Sequence, residues 1–199
     1  MAGQLAPEPA ARKRELRARL LAARRALPEP ARREAARRVG EVLTGLLAAY
    51  AGRTIAGYVP MATEPGGPDL PDLLAAAVGE SGRVLLPVLR EDLDLAWAVA
   101  GAAGAPLAPA AIREAALLVV PAVAVDYQGV RLGRGGGSYD RALARVAPGA
   151  EVVAVLHDGE LSERPLPAEP HDRRVTAAIL PGPGLVRLNS TGPIMNLGS

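Results

Sequence analysis

The chain has 199 residues, of which 49% are hydrophobic, and its 23 basic and 21 acidic side chains give a formal net charge of +2. That length and hydrophobic content fit a single folded domain and argue against global disorder. The absence of cysteine excludes disulfides, thiolate metal sites and a cysteine nucleophile, and two histidines, His157 and His171, leave little material for zinc.

Two arginine-rich helices are predicted at the start of the chain. One spans 8–26 with an apolar stripe that includes Leu16, and the second follows the break at Pro28 and ends near Gly52. Residues 1–40 carry a surplus of seven positive charges, which favours either an anionic partner or a solvated helix face. Nucleic acid is one candidate for such a partner, but the few aromatic residues are scattered and form no evident stacking platform, so a nucleic-acid partner is not the expectation.

The N-terminus lacks the apolar core of a signal peptide, and no apolar run approaches the roughly 18 residues of a membrane span. A cytoplasmic protein without membrane contact is therefore expected, and a monomer is expected separately from these observations.

Short apolar strands alternate with helices along the rest of the chain, which predicts an α/β fold with a three-layer α/β/α architecture and a mostly parallel sheet. A single domain is expected over 1–187. The segment 181–199 loses its periodicity, and 188–199 in particular is expected to be a disordered tail. The predicted strands are 54–59, 83–89, 93–99, 117–125, 151–156 and 175–180, with helices from Asp69 or Asp72 to Gly79 and over 138–147.

The most informative stretch is 117–141, which reads LLVVPAVAVDYQGVRLGRGGGSYDR. A buried strand is predicted to run through a turn into glycines and arginines, and a helix begins near Ser138. Ligands collect at the carboxyl ends of strands in open α/β sheets, and glycines let backbone N–H groups approach a phosphate. Arg131 and Arg134 can add bidentate contacts to phosphate oxygens, and Asp140 can ligate a Mg²⁺ ion that bridges phosphates.

The spacing matches neither a Walker A loop nor the dinucleotide fingerprint, because Ser138 stands where the fingerprint needs Gly or Ala. A purely structural turn is the alternative. The two arginines that accompany the three consecutive glycines favour anion binding, since a structural loop does not need them.

The block RLGRGGGSYDR, with VVPAVAVD before it, closely resembles the signature of the 5-formyltetrahydrofolate cyclo-ligases, also called 5,10-methenyltetrahydrofolate synthetases. That family has G-x-R-L-G-x-G-x-G-Y-Y-D after a strand that ends in Pro, a small apolar run and Asp. Three further segments are similar to family motifs in the same order, and the four together span about residues 12–180. They are KRELR at 13–17, YVPMATE at 58–64 and LPAEPHD at 166–172.

The resemblance implies ATP-dependent cyclisation of 5-formyltetrahydrofolate to 5,10-methenyltetrahydrofolate with Mg²⁺, releasing ADP and phosphate. It also implies the layered architecture of the sugar-phosphate isomerase and CoA-transferase group. In this chemistry the formyl oxygen is a poor leaving group until it receives the γ-phosphoryl group, and N10 then closes the ring. Such a transfer depends on positioning and charge stabilisation, which suits a chain without cysteine.

The resemblance also implies a role for each matching position, with Arg134 as the catalytic residue. Contacts to ATP fall on Lys13, Arg17, Arg131, Leu132, Gly133, Arg134, Gly135, Gly136, Gly137, Ser138 and Tyr139. Contacts to the folate substrate fall on Val59, Met61, Glu64, Arg134, Gly135, Gly136, Gly137 and Ser138. Asp140 and Asp172 are the expected magnesium carboxylates.

Each of these roles has a plainer alternative. Lys13 and Arg17 lie one turn apart and could form an ordinary solvated pair, and Asp140 could simply be a first-turn acid favoured by the helix dipole. Glu64 could be a solvated loop residue. The use of a single lysine in the whole chain favours a specific role for Lys13.

One position departs from the family pattern, because Ser138 stands where the family commonly has tyrosine. Serine is a good N-cap, so the junction between loop and helix is expected to survive, while an aromatic wall of the substrate site would be lost. Two other function classes stay open: another phosphate-handling enzyme on the same fold, such as a sugar-phosphate isomerase, or a non-enzymatic nucleotide- or RNA-binding protein.

Overall fold

A computed structural model describes residues 9–168 and 173–188. The helices are α1 (Pro9–Ala26), α2 (Glu29–Leu47), α3 (Leu70–Val78) and α4 (Ser138–Leu143), with short 3-10 segments at Ala48–Tyr50 and Pro109–Glu114. The strands are β1 (Thr54–Ala56), β2 (Arg83–Leu89), β3 (Leu95–Val99), β4 (Leu117–Pro121), β5 (Ala124–Asp126), β6 (Arg131–Leu132), β7 (Glu151–Val155), β8 (Leu161–Ser162), β9 (Ala177–Leu180) and β10 (Gly184–Arg187). Among the described helices, none has the length and apolar character needed to cross a membrane.

Within the described ranges, the larger sheet has seven strands in the order β10-β9-β7-β4-β1-β2-β3. The inner strands pair in parallel, from β2 through β1, β4 and β7 to β9. Antiparallel strands close both edges, with β3 paired to β2 and β10 paired to β9. The mostly parallel sheet predicted from the sequence is confirmed.

Strand β4 shows why the central strands have continuous apolar sequences. Leu117 and Val119 face the cluster formed with helices α2 and α3, whereas Leu118 and Val120 face the opposite cluster, which contains residues of α4 and the segment Pro109–Glu114. Both faces of the sheet are therefore covered, and a strand that is buried on both faces has no room for polar residues. This arrangement confirms the three-layer α/β/α prediction.

A small second sheet, which was not predicted, has the order β6-β5-β8. The predicted strand 117–125 is wrong in its length, because the chain leaves the large sheet after Pro121 and continues as β5. The amide of Val123 then donates to the carbonyl of Leu132 at 2.7 Å, so this segment pairs with the small sheet instead. Helix α1 packs on the small sheet through Leu16, Leu20 and Leu21.

The expectation of disorder from residue 181 onward is wrong for the described part of that segment. Gly184 has a φ of 77°, which reverses the chain so that β10 pairs antiparallel with β9. Leu188 is buried, and its amide donates to the carbonyl of Thr176 at 3.0 Å. The remaining part of the predicted tail, 189–199, lies outside the described residues.

The ends of two helices differ from the prediction. The helix expected over 138–147 ends at Leu143, because Arg145 and Val146 donate to carbonyls three residues back in a tightened turn. Its N-cap is Gly137, with a φ of 70°, so Ser138 is the first helical residue and not the cap. Helix α3 begins directly after Asp69, as predicted, although the Asp69 side chain makes no capping bond.

Helix α4 and the turn that follows it are tied to the β2–β3 hairpin by two arginines, one of which forms a two-pronged ion pair. Arg145 donates from Nη1 and Nη2 to the two carboxylate oxygens of Asp94, at 2.9 and 2.7 Å. Arg141 donates to the carbonyl of Leu93 at 2.8 Å in the same hairpin. The hydrogen bonds from Arg145 hold the pKa of Asp94 below its ordinary value of 3.8.

Replacing Asp94 with asparagine should therefore lower stability at neutral pH. The Asp94 carboxyl titrates below 3.8 in the folded chain, so its stabilising effect is complete above that pH and is lost as the pH falls through the lowered value. Chemical denaturation across this pH range should show that the free energies of unfolding of the parent and of Asp94→Asn converge at acid pH. Asp72→Asn, at an exposed first-turn position of α3, is the control. A destabilisation that does not change with pH would contradict this account.

Candidate active site

Asp126 shapes the turn that leads into the glycine-rich loop, residues 133–137. Its buried carboxylate accepts the amide hydrogens of Gln128 and Val130, both at 2.9 Å, through Oδ1, and that of Leu166 at 2.8 Å through Oδ2. Gly129 has a φ of +80°, and a Cβ there would lie 2.3 Å from a backbone carbonyl oxygen, so only glycine fits. The turn returns β5 into β6 and so places Arg131 at the entrance to the loop.

The glycine-rich loop forms one wall of a cavity of about 400 Å³. The opposite walls come from the carboxyl ends of β1, β2 and β4, which meet at one edge of the sheet. Most of the predicted nucleotide and substrate residues are thus brought to a single space, as the topology of an open α/β sheet leads one to expect, whereas Lys13, Arg17 and Leu132 do not line it. Those that line it are Val59, Met61, Glu64, Arg131, Gly133, Arg134, Gly135, Gly136, Gly137, Ser138, Tyr139 and Asp140.

An ion pair between Arg134 and Glu64 joins the two walls of this cavity. Nη1 of Arg134 donates to Oε1 of Glu64 at 3.0 Å, and Oε2 of Glu64 accepts the amide hydrogen of Met61 at 3.0 Å. The Glu64 side chain is only 5% exposed, whereas that of Arg134 is 46% exposed. Glu64 is therefore a fixed acceptor, while Arg134 has room to move toward a ligand.

Two tyrosines border the same carboxylate. Burial, reinforced by the nearby Glu64 charge, raises the pKa of Tyr58 and of Tyr139 above the ordinary value of 10.0. Both phenols therefore stay neutral at physiological pH. Tyr58 donates to the carbonyl of Pro65 and so holds the loop that carries Glu64.

Arg131 is a buried cation whose charge is balanced by Asp140. Its Nη2 donates to Oδ1 of Asp140, and the side chains are 3% and 39% exposed, respectively. The guanidinium lies 5.8 Å from the centre of the Tyr139 ring, within cation–π range. Asp140 therefore has a structural partner, and its side chain is partly exposed where it lines the cavity.

The predicted magnesium role of Asp140 is compatible with this arrangement. Mg²⁺ commonly takes one or two protein carboxylates and completes its octahedral shell with phosphate oxygens and water. Asp140 lines the cavity and has one oxygen bonded to Arg131, which leaves the other for an ion. The second predicted ligand, Asp172, lies outside the described residues. In the ranges 9–168 and 173–188, no three His, Asp or Glu side chains cluster as a ready-made metal site.

Helix α1 reaches the loop through Arg17. Its Nε donates to the carbonyl of Gly133 at 2.8 Å, and its guanidinium would be 3.5 Å from a Cβ at Gly135. Lys13 lies one turn earlier on the same helix. Leu132 is buried in the cluster with Leu16, so its side chain points toward α1 and away from the cavity, and any contact with ATP is left to its backbone.

A model of the 5-formyltetrahydrofolate cyclo-ligase family matches residues 9–181. Over 194 residues the chain is 42% identical to a 5-formyltetrahydrofolate cyclo-ligase of Mycolicibacterium smegmatis, and the alignment covers 88% of this chain and 97% of that protein. The chain belongs to the 5-formyltetrahydrofolate cyclo-ligase family.

Two solved structures of 5,10-methenyltetrahydrofolate synthetases have the same fold as this cyclo-ligase family member. The protein from Mycoplasma pneumoniae superposes with a TM-score of 0.68 at 20% identity, covering 83% of this chain and 96% of that one. The protein from Aquifex aeolicus superposes with a TM-score of 0.66 at 26% identity, covering 92% of this chain and 95% of that one. The family resemblance inferred from the four sequence motifs is confirmed.

Sequence reasoning missed the apolar side of this cyclo-ligase cavity. The residues on this side lie at the sheet edge where β1, β2 and β4 end and β3 begins. Their place at the strand ends is the signal in the sequence that could have identified them. They are Tyr58, Pro87, Leu89, Leu95, Pro121 and Ala122. With Val59 and Met61, which are 52% and 55% exposed, they give the cavity a wide apolar mouth.

The structural and metal roles of Asp140 can be separated by a stability measurement without magnesium. Asp140→Ala should lower the free energy of unfolding by about 2 kcal/mol, because it leaves the buried Arg131 guanidinium without its counter-charge. The control is Asp72→Ala, which removes an exposed acidic side chain from the first turn of α3. It should lower the free energy of unfolding by no more than about 1 kcal/mol. Equal losses for the two variants would show that the Arg131 pair contributes nothing.

Proposed function

We propose that the chain catalyses the ATP- and Mg²⁺-dependent cyclisation of 5-formyltetrahydrofolate to 5,10-methenyltetrahydrofolate, with release of ADP and phosphate. The observation that carries the proposal is the Arg134–Glu64 pair, which puts the glycine-rich loop and the Glu64 loop within hydrogen-bonding distance across one cavity. The cavity volume lies within the usual range for small-molecule sites. Family membership supports the same reaction.

The folate would occupy the apolar side of the cavity. Glu64 is a fixed carboxylate that can accept paired N–H bonds from a pterin ring, and the backbone amide of Met61 already holds one of its oxygens. Val59, Met61 and Leu89 offer exposed apolar surface at the mouth for the rest of the molecule. Because Arg134 lies next to Glu64, a ring bound in this way could present its formyl group toward Arg134.

The ATP phosphates would lie on the glycine-rich loop. Backbone N–H groups of residues 133–137 can approach phosphate oxygens closely because no side chains intervene at the glycines. Arg134 contributes a mobile cation, and α1 brings Arg17 and Lys13 to the same side. Asp140 would hold Mg²⁺ beside the phosphates, where the ion would neutralise part of their negative charge.

The proposed reaction needs no protein nucleophile. The formyl oxygen attacks the γ-phosphorus, the bond to ADP breaks, and the oxygen becomes part of a phosphate ester on the formyl carbon. N10 then attacks that carbon and loses its proton, and departure of phosphate with the former formyl oxygen leaves the methenyl cation. Arg134 would leave Glu64 during the transfer and donate to the γ-phosphoryl oxygens as their charge redistributes.

Turnover by the purified chain tests this proposal. Protein mixed with MgATP and 5-formyltetrahydrofolate should produce the near-ultraviolet absorbance of the methenyl product, with one ADP formed for each product molecule. Omission of ATP or chelation of Mg²⁺ should abolish the signal. No product under conditions in which an active cyclo-ligase works would overturn the proposal.

Loss of Arg134 should affect the chemical step more than the fold. Arg134→Met should lower kcat by roughly 10²–10³-fold, as expected when a donor to developing charge is removed. Thermal unfolding should change little, because the side chain is half exposed and Glu64 keeps its bond from Met61. Arg113→Met, at an exposed position outside the cavity, should leave kcat unchanged. A kcat for Arg134→Met within threefold of the parent would exclude the catalytic role.

A further inference from the structure

The loop that carries Glu64 has a strained backbone. Ala62 has a φ of +32°, in the left-handed region that residues with a Cβ rarely adopt. The amide of Glu64 donates to the carbonyl of Met61 at 2.7 Å across this turn. Such a conformation persists only when neighbouring contacts hold it in place, so the turn needs an anchor outside itself.

His157 supplies that anchor. The Nε2 atom of His157 lies 3.1 Å from the carbonyl oxygen of Thr63, the residue that precedes Glu64. A carbonyl oxygen can only accept, so Nε2 carries the hydrogen in this bond. His157 is 6% exposed and is not part of the cavity lining in the described structure. It therefore reaches the site only through the backbone of the Glu64 loop.

A buried ion pair holds His157 in turn. The amide of His157 donates to Oε2 of Glu160 at 2.8 Å. Arg24 donates to the two carboxylate oxygens of Glu160 at 2.6 and 2.7 Å, and also to the carbonyl of Ala122 in the cavity wall. Arg24 and Glu160 are 1% and 5% exposed, so neither charge has water as an alternative partner.

The series of contacts connects the two sides of the site. Arg24 lies on α1, the helix whose Arg17 bonds the glycine-rich loop at Gly133. From Arg24 the contacts run through Glu160 and His157 to Thr63, beside Glu64. Helix α1 thus touches the glycine-rich loop at one point and is linked to the Glu64 loop at another.

We infer that His157 is a positioning residue for Glu64, anchored through Glu160 and Arg24 to helix α1. The inference rests on the proposed function, since it assigns to His157 the placement of the carboxylate that receives the folate. His157 does not touch the substrate. Its effect should fall on the folate side of the cavity, because its side chain bonds the Glu64 loop and not the glycine-rich loop.

Three substitutions at His157 test this inference. Glutamine can place an amide N–H where Nε2 now lies, asparagine is one methylene too short to reach Thr63, and leucine has no donor. His157→Leu and His157→Asn should raise KM for 5-formyltetrahydrofolate about tenfold, since small displacements of a positioning group have large effects. In these two variants KM for ATP should stay within twofold of the parent value. In His157→Gln, KM for each of the two substrates should stay within threefold of the parent value.

Three results would overturn the inference: an unchanged folate KM in His157→Asn, an equal rise in both KM values, or a glutamine variant as impaired as asparagine. If the leucine variant does not fold, the comparison of glutamine with asparagine decides. Amide hydrogen exchange adds a readout independent of turnover, because His157→Asn should speed exchange at Glu64 and leave residues 133–137 unchanged. A parent chain without turnover would count against the proposed function. The changes in KM between variants and parent, and the changes in amide exchange rate, test the role of His157 alone.

Discussion

The candidate site depends on the buried ion pair between Arg24 and Glu160. Two charges removed from water are costly unless each is paired and hydrogen-bonded, and removal of one partner typically costs about 3–5 kcal/mol. Here Arg24 donates to both carboxylate oxygens and to a carbonyl, and Glu160 also accepts an amide hydrogen. The pair fixes where α1 sits on the small sheet, and with it where Arg17 meets the glycine-rich loop.

The small sheet positions the glycine-rich loop beside the strand ends of the large sheet, and this placement forms the cavity. The parallel strands of the large sheet bring Val59, Pro87 and Ala122 to one edge, as any open α/β sheet brings its strand ends together. The β5–β6 hairpin, shaped by the buried Asp126, then carries the glycine-rich loop over that edge. The result is a cavity with an apolar side and a cationic, glycine-rich side, which in the proposed reaction would hold the ring system and the phosphates, respectively.

Much of this could be predicted from the sequence. The alternation of apolar strands with helices predicted a three-layer α/β fold, and the glycine-rich segment predicted an anion site. The ordered motifs placed Glu64 and Arg134 at the same site. Both side chains do line one cavity. Their roles in binding and catalysis rest on the proposed reaction and not on these contacts alone.

Other features had no readable signal. Strands β6 and β8 are two residues long, too short for any periodicity, and the small sheet was therefore missed. Arg24 is one arginine among many in a basic helix, and its partner lies 136 positions away in the sequence. Serine is a common N-cap residue, so the sequence predicted that Ser138 caps α4. In the structure Gly137, whose φ of 70° is left-handed, is the N-cap.

In the proposed reaction the formyl oxygen becomes a phosphate oxygen within this cavity. The most direct measurement uses 5-formyltetrahydrofolate carrying a heavy oxygen isotope in its formyl group, turned over by the purified chain with unlabelled MgATP in unlabelled water. Mass analysis of the inorganic phosphate should find the label in one oxygen of each phosphate released. Unlabelled phosphate formed together with methenyl product would contradict the account, because the formyl oxygen would then have left by another route.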